Sequence, residues 1–138
     1  MTTDPSAIRA LAIHAEDLLA AAEADARGGP RTVLRVTPPF SGRMRARLHV
    51  VQDEGDDGDT LHVPPAALLA DTAPSYPTPD ETADELRDAE GESYSVERHR
   101  EYHEQRVSDW REALLDCVVS SVTLPETDHD VTVSVLGP

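Results

Sequence analysis

The sequence contains no lysine. All 12 of its cationic side chains are arginine, against 27 aspartates and glutamates, and the net charge is −15 over 138 residues. It has a single cysteine, Cys117, which excludes an intramolecular disulfide and fits a reducing, cytoplasmic setting. Aromatic residues are confined to Phe40, Tyr76, Tyr94, Tyr102 and Trp110. No apolar run approaches the roughly 18 residues of a membrane-spanning helix, and no signal-peptide pattern opens the chain, so no membrane association is expected. A glycine-rich phosphate loop, a nucleophile elbow and a convincing catalytic dyad are all missing. The expectation is therefore a non-enzymatic protein without a cofactor.

Positive charge is present mainly in one place. Residues 28–52, GGPRTVLRVTPPFSGRMRARLHVVQ, carry Arg31, Arg35, Arg43, Arg45 and Arg47 and no acid. The remainder of the chain then holds −20 against the −15 of the whole. Within this stretch Arg43, Arg45, Arg47 and His49 alternate with Met44, Ala46, Leu48 and Val50, the period-2 pattern of a half-buried strand. Thr32, Leu34 and Val36 share one face of a second strand, and Arg31, Val33 and Arg35 the other. The pattern predicts an arginine-rich hairpin over 31–52 with a turn at 37–42. Registers that place both apolar sets in the core bring Arg35 opposite Arg43 or Arg45. Opposed like charges destabilise a sheet, so an anion is expected on this face.

The rest of the chain predicts α+β architecture, an antiparallel sheet of four to five strands with helices packed on one face, in a single domain over 1–138. A helix is expected over 5–27, with Asp4 as cap, Pro5 in its first turn and Ile8, Leu11, Ala15, Leu18, Leu19 and Ala22 on one stripe. Residues 53–59 read as an acidic turn. They are not an EF-hand, since Gly55 and Pro64 occupy the third and twelfth positions where that loop needs ligands. A strand at 60–63 follows, then a proline-rich connector and a weakly apolar helix over 71–91. That helix opens on the capping box Thr78-Pro79-Asp80-Glu81. A long helix is predicted over 95–120, carrying Trp110 as its core anchor, Cys117 as a buried small hydrophobe, and an Arg100–Glu104 pair on its exposed side. A C-terminal strand is predicted over 130–136, with a shorter β-like run before it.

Three sets of residues could carry chemistry. The arginines suit bidentate binding of carboxylate or phosphate. On the other hand, acids of the chain itself, residues 53–59 above all, could fold over the sheet and neutralise them. Phe40, alone in the hairpin turn, is a candidate partner anchor, or else folds back over the hairpin. His99 and His103, four apart on one helix, have a spacing that can hold zinc or nickel, although a half-buried pair extending the apolar stripe is the plainer reading.

Lysine-free, acid-dense composition of this kind resembles that of small uncharacterised proteins of salt-accumulating haloarchaea. The resemblance is one of composition and implies a protein that works in molar salt. There the Debye length is about 3 Å and long-range steering vanishes, so binding must rely on close contacts. The expected function is an interaction or adaptor module whose Arg31, Arg35, Arg43, Arg45, Arg47 and Phe40 bind a carboxylate-rich protein partner, a second copy of the chain included. Nucleic acid on the same face is the alternative, disfavoured by salt and by the lack of aromatic platforms on these strands. A metal-dependent enzyme or sensor using His99 and His103 is the other.

Overall fold

Ala10–His14 departs most from its sequence pattern. In the computed structural model, which describes residues 2–51, 59–89, 91, 93–125 and 127–137, these residues form strand β1 and not the second turn of a helix over 5–27. The helix is confined to α1, Ala15–Ala26. Only a 3-10 turn, Pro5–Ala7, forms ahead of the strand, and Asp4 caps it by accepting the Ser6 N–H at 3.0 Å. Leu11 and Ile13 are fully buried and alternate with half-buried Ala10, Ala12 and His14. So short an apolar run satisfies both the 3.6 and the 2.0 periods. Pairing on both sides decides for the strand. His14 ends it and caps α1, its Nδ1 accepting the Glu16 N–H at 3.1 Å.

The other strands are β2 (Thr32–Val36), β3 (Arg43–Val50), β4 (Leu61–Val63), β5 (Ser121–Thr123) and β6 (Asp130–Leu136). They form a six-stranded mixed sheet in the order β4-β2-β3-β1-β6-β5. This corrects the expectation of a purely antiparallel sheet of four to five strands. The added strand, β1, lies at the centre and runs parallel to both β3 and β6, while the remaining pairs are antiparallel. β2 and β3 pair as the expected hairpin, and β6 has the expected bounds. Of the expected acidic turn 53–59, all but Asp59 lies outside the described residues.

The sheet belongs to a compact unit made of Met1–Asp71 and Cys117–Pro138. Its core joins Leu11, Ile13, Leu34, Val36, Ala46, Val122 and Val131 from one face of the strands with Leu18 and Ala21 of α1. Each fully buried Leu or Ile contributes about 1.5–3 kcal/mol relative to exposure. Phe40 is in this core and is 0% exposed. Its backbone pairs with Thr2, the Phe40 N–H donating to the Thr2 carbonyl at 2.6 Å. Beyond β1 that edge of β3 pairs with no strand among the described residues, and the Leu48 N–H donates to Asp17 Oδ2 at 3.4 Å.

The second compact unit is Thr72–Asp116. It contains α2 (Pro79–Asp88) and α3 (Val96–Leu115). Thr78 caps α2 as its capping box predicts, with the Glu81 N–H donating to Thr78 Oγ1 at 3.2 Å. Ser95 caps α3. Trp110 is buried, bonds the Pro74 carbonyl through Nε1 at 3.0 Å and meets Tyr76 edge-on. The ion pair on the exposed side joins Arg98 to Glu101 at 2.8 Å, and Arg100 has no ion pair with Glu104. Val96, the first residue of α3, is 69% exposed.

The long helix stops at Leu115, five residues short of the expected 120. Residues 117–119 are claimed by backbone pairing in the first unit instead: the Ala70 N–H donates to the Cys117 carbonyl at 2.8 Å and the Val119 N–H to the Leu68 carbonyl at 2.9 Å. Cys117 is thus a half-buried free thiol in the turn that follows α3, not a helical core residue. Among the described residues no helix is long and apolar enough to cross a membrane.

Candidate anion-binding face

The strand register decides which arginines meet. Leu34 lies opposite Leu48, and Arg35 opposite Arg47. The expected partners of Arg35 were Arg43 or Arg45. The like-charge opposition is real but falls at least two residues further along β3 than expected. On the other side of β2, Arg35 faces His62 of β4. The row across three strands therefore reads Arg47, Arg35, His62.

Paired residues share a sheet face, so the register fixes the other rows too. Arg45 faces Ala12, which faces Ser134. Arg43 faces Ala10, then Thr132, then Ser121. These rows contain small or hydroxylated side chains and no acid. Arg43, Arg45 and Arg47 are exposed, Arg35 is half-buried, and none of the four has an ion pair with a described residue.

An open depression of about 230 Å³ lies on the face, lined by Arg35, Thr37, Met44, Arg45 and Arg47. Extending the β2–β3 register by two pairs sets Thr37 across from Arg45. Three arginines and one hydroxyl thus occupy the corners of a rectangle roughly 5 Å across the strands and roughly 7 Å along them.

The structure therefore brings together Arg35, Arg45 and Arg47, with Arg43 next along the same strand. Arg31 is exposed ahead of β2, its carbonyl accepting the Val51 N–H at 2.8 Å, and it does not line the depression. Phe40 is corrected from partner anchor to core residue, since a fully buried ring presents nothing to a partner. Sequence reasoning missed Thr37 and Met44. Thr37 was legible only once the register was known, and Met44, which packs against the core as its pattern predicts, is half-buried and also reaches the depression.

His99 and His103 are held together by a residue the pattern did not single out. Their Nε2 and Nδ1 atoms lie 2.9 Å and 2.8 Å from Thr82 Oγ1, and Thr82 is fully buried. The nitrogens that could converge on a metal converge on this hydroxyl. Among the described residues no group of three or more His, Cys, Asp or Glu could hold a metal ion. A hydroxyl between two imidazoles has the distances of a nucleophile and its base, but at 0% exposure no substrate reaches it.

One turn along, Glu85 accepts from Arg106 Nε at 2.8 Å, Arg106 Nη2 at 3.2 Å and the Tyr102 hydroxyl at 2.8 Å. The Arg106 fork first, and Tyr102 second, hold the Glu85 carboxyl below its ordinary value. The same carboxylate pushes the Tyr102 phenol up. This polar seam joins α2 to α3, where the sequence shows only a thin apolar strip.

The sequence model of the family described as Domain of unknown function (DUF8009) matches residues 1–137. No curated protein and no solved structure matches the chain.

Proposed function

The chain belongs to the DUF8009 family, and we propose that it is a non-enzymatic interaction module whose Arg35, Arg43, Arg45 and Arg47 face binds a carboxylate-rich segment of a partner protein. One observation carries this reading. In a chain with 27 acids, these four arginines share one sheet face in rows without an acid and have no ion pair with a described residue. Charge complementarity and the bidentate geometry of guanidinium favour carboxylates. No Phe, Tyr or Trp stands in these rows, which argues against stacked bases. The acid-dense remainder fits a haloarchaeal-type cytoplasm rich in salt, where close forked contacts outlast screened attraction.

The test is the triple substitution Arg43→Gln, Arg45→Gln, Arg47→Gln. Relief of the Arg35–Arg47 opposition should leave stability in molar KCl unchanged or raised by a few tenths of a kcal/mol. Affinity for a glutamate-rich peptide, followed by fluorescence anisotropy, should collapse. A clear drop in the unfolding midpoint with unchanged peptide binding would mean that acids of the chain itself neutralise the face, and would sink the proposal.

A further inference from the structure

We infer that the depression bounded by Arg35, Arg45, Arg47 and Thr37 is a site for a small phosphate monoester. The inference rests on the proposed reading in one respect, that these cations are open to an outside anion. It goes further in naming the group that fits.

The argument is one of donors and charge. Arg35 and Arg47 are directly opposed, and Arg45 stands two residues along the same face of β3. Each guanidinium offers five N–H donors in a planar fork. A single carboxylate has two oxygens in one plane and unit charge, and one fork exhausts it. Three arginines lining one depression call for a group with more oxygens and more charge. A phosphate monoester supplies three strong acceptor oxygens and close to two negative charges at neutral pH. A phosphodiester lacks one of those oxygens and one of those charges.

Three further features agree. The Thr37 hydroxyl adds a neutral donor at the fourth corner. Ala12 beside Arg45 is too small to pack against the guanidinium and leaves the arginine stems clear. Met44 at the rim offers an apolar contact to the carbon side of an ester. A space of about 230 Å³ falls below the roughly 300 Å³ where drug-sized pockets begin, so the organic part is small.

The experiment is calorimetric titration of the full chain in molar KCl with inorganic phosphate, methyl phosphate and acetate in turn. Saturable binding of phosphate and methyl phosphate is expected, with acetate at least about tenfold weaker, the equivalent of one lost charged hydrogen bond. Arg35→Gln, Arg45→Gln and Arg47→Gln should each weaken methyl phosphate at least about tenfold. Arg47→Lys, which keeps the charge and protects the fold, should still lose affinity because the fork is gone. Arg27→Gln, which removes an equal charge from the end of α1, should leave binding unchanged. Equal losses from Arg27→Gln and Arg47→Gln would overturn the site in favour of diffuse attraction. A phosphoserine peptide binding more than about tenfold tighter than methyl phosphate would overturn the small-molecule occupant. Absence of phosphate binding with the glutamate-rich peptide still bound overturns this inference alone, whereas loss of both overturns the proposed function as well.

Discussion

Replacing Thr82 with valine removes one hydroxyl from the buried seam between α2 and α3 and little else, since the two side chains have nearly the same shape. Thr82 is 0% exposed, and its Oγ1 donates to the Pro79 carbonyl at 3.2 Å. A hydroxyl has one proton and two acceptor sites. With the proton on Pro79, both sites are free for N–H groups of His99 and His103, at 2.9 and 2.8 Å, and the hydroxyl is fully satisfied. That assignment fixes His99 with its proton on Nε2 and His103 with its proton on Nδ1. Valine would set two N–H donors against a methyl. Each such bond is worth about 0.5–1.5 kcal/mol net, and the half-buried rings recover part of it from water, so the expected loss is about 1–3 kcal/mol. Thr82→Ser keeps the hydroxyl and loses one methyl, for about 0.8 kcal/mol. The predicted order of stability is therefore wild type, then serine, then valine. Denaturant unfolding in molar KCl, read by the fluorescence of Trp110, the chain's sole tryptophan, reports on this unit directly. Valine as stable as wild type, or more stable than serine, would show that shape and not the polar network holds the helices together.

Glu85 has a folded-state value below its ordinary one, so its contribution is complete above the ordinary glutamate range and is lost as pH falls through that range toward the lowered value. Glu85→Gln should flatten the acid limb of the unfolding profile, and an unchanged limb would mean that the Arg106 fork contributes nothing in solution. Phe40→Ala should cost about 3–5 kcal/mol as a core truncation. Loss of peptide affinity with stability intact would restore Phe40 as a surface anchor. Desalting should expand or unfold the chain, because −15 of net charge repels itself once unscreened. Circular dichroism unchanged between molar KCl and low salt would contradict the halophilic reading.

Where the sequence pattern had only one interpretation, the fold followed it. The alternation in 43–50 and in 130–136 became β3 and β6, and Thr78-Pro79-Asp80-Glu81 opened α2. Where two periods fitted the same residues, tertiary pairing chose. Ile8, Leu11 and Ala15 lie on a helical stripe, yet Ala10–His14 pairs with β3 on one side and β6 on the other. Residues 117–119 show the same override at the other end of α3, where pairing with Leu68–Ala70 replaces another helical turn. The arginines of the candidate site were legible as a group, but their grouping into three plus a threonine was not. That grouping depends on turn length, and composition does not encode register. Thr82 was invisible for a different reason: its partners lie 17 and 21 residues away.

The Arg35–Arg47 opposition bears on why the face exists at all. Locally inconsistent pairs cost stability, and natural sequences retain them chiefly at functional positions. Scarcity of acid cannot explain this one, with 27 carboxylates for 12 arginines. Asp17 accepts from the backbone N–H of Leu48, the residue after Arg47, and makes no ion pair with Arg47, whose side chain lies on the other face of the sheet from that of Leu48. On the α2–α3 seam the same chain places Glu85 against Arg106 with a full fork, so it builds paired arginines where structure is the purpose. Four arginines held in rows without an acid, in a chain that forks Arg106 onto Glu85, are the feature that the proposed binding of an outside anion would use.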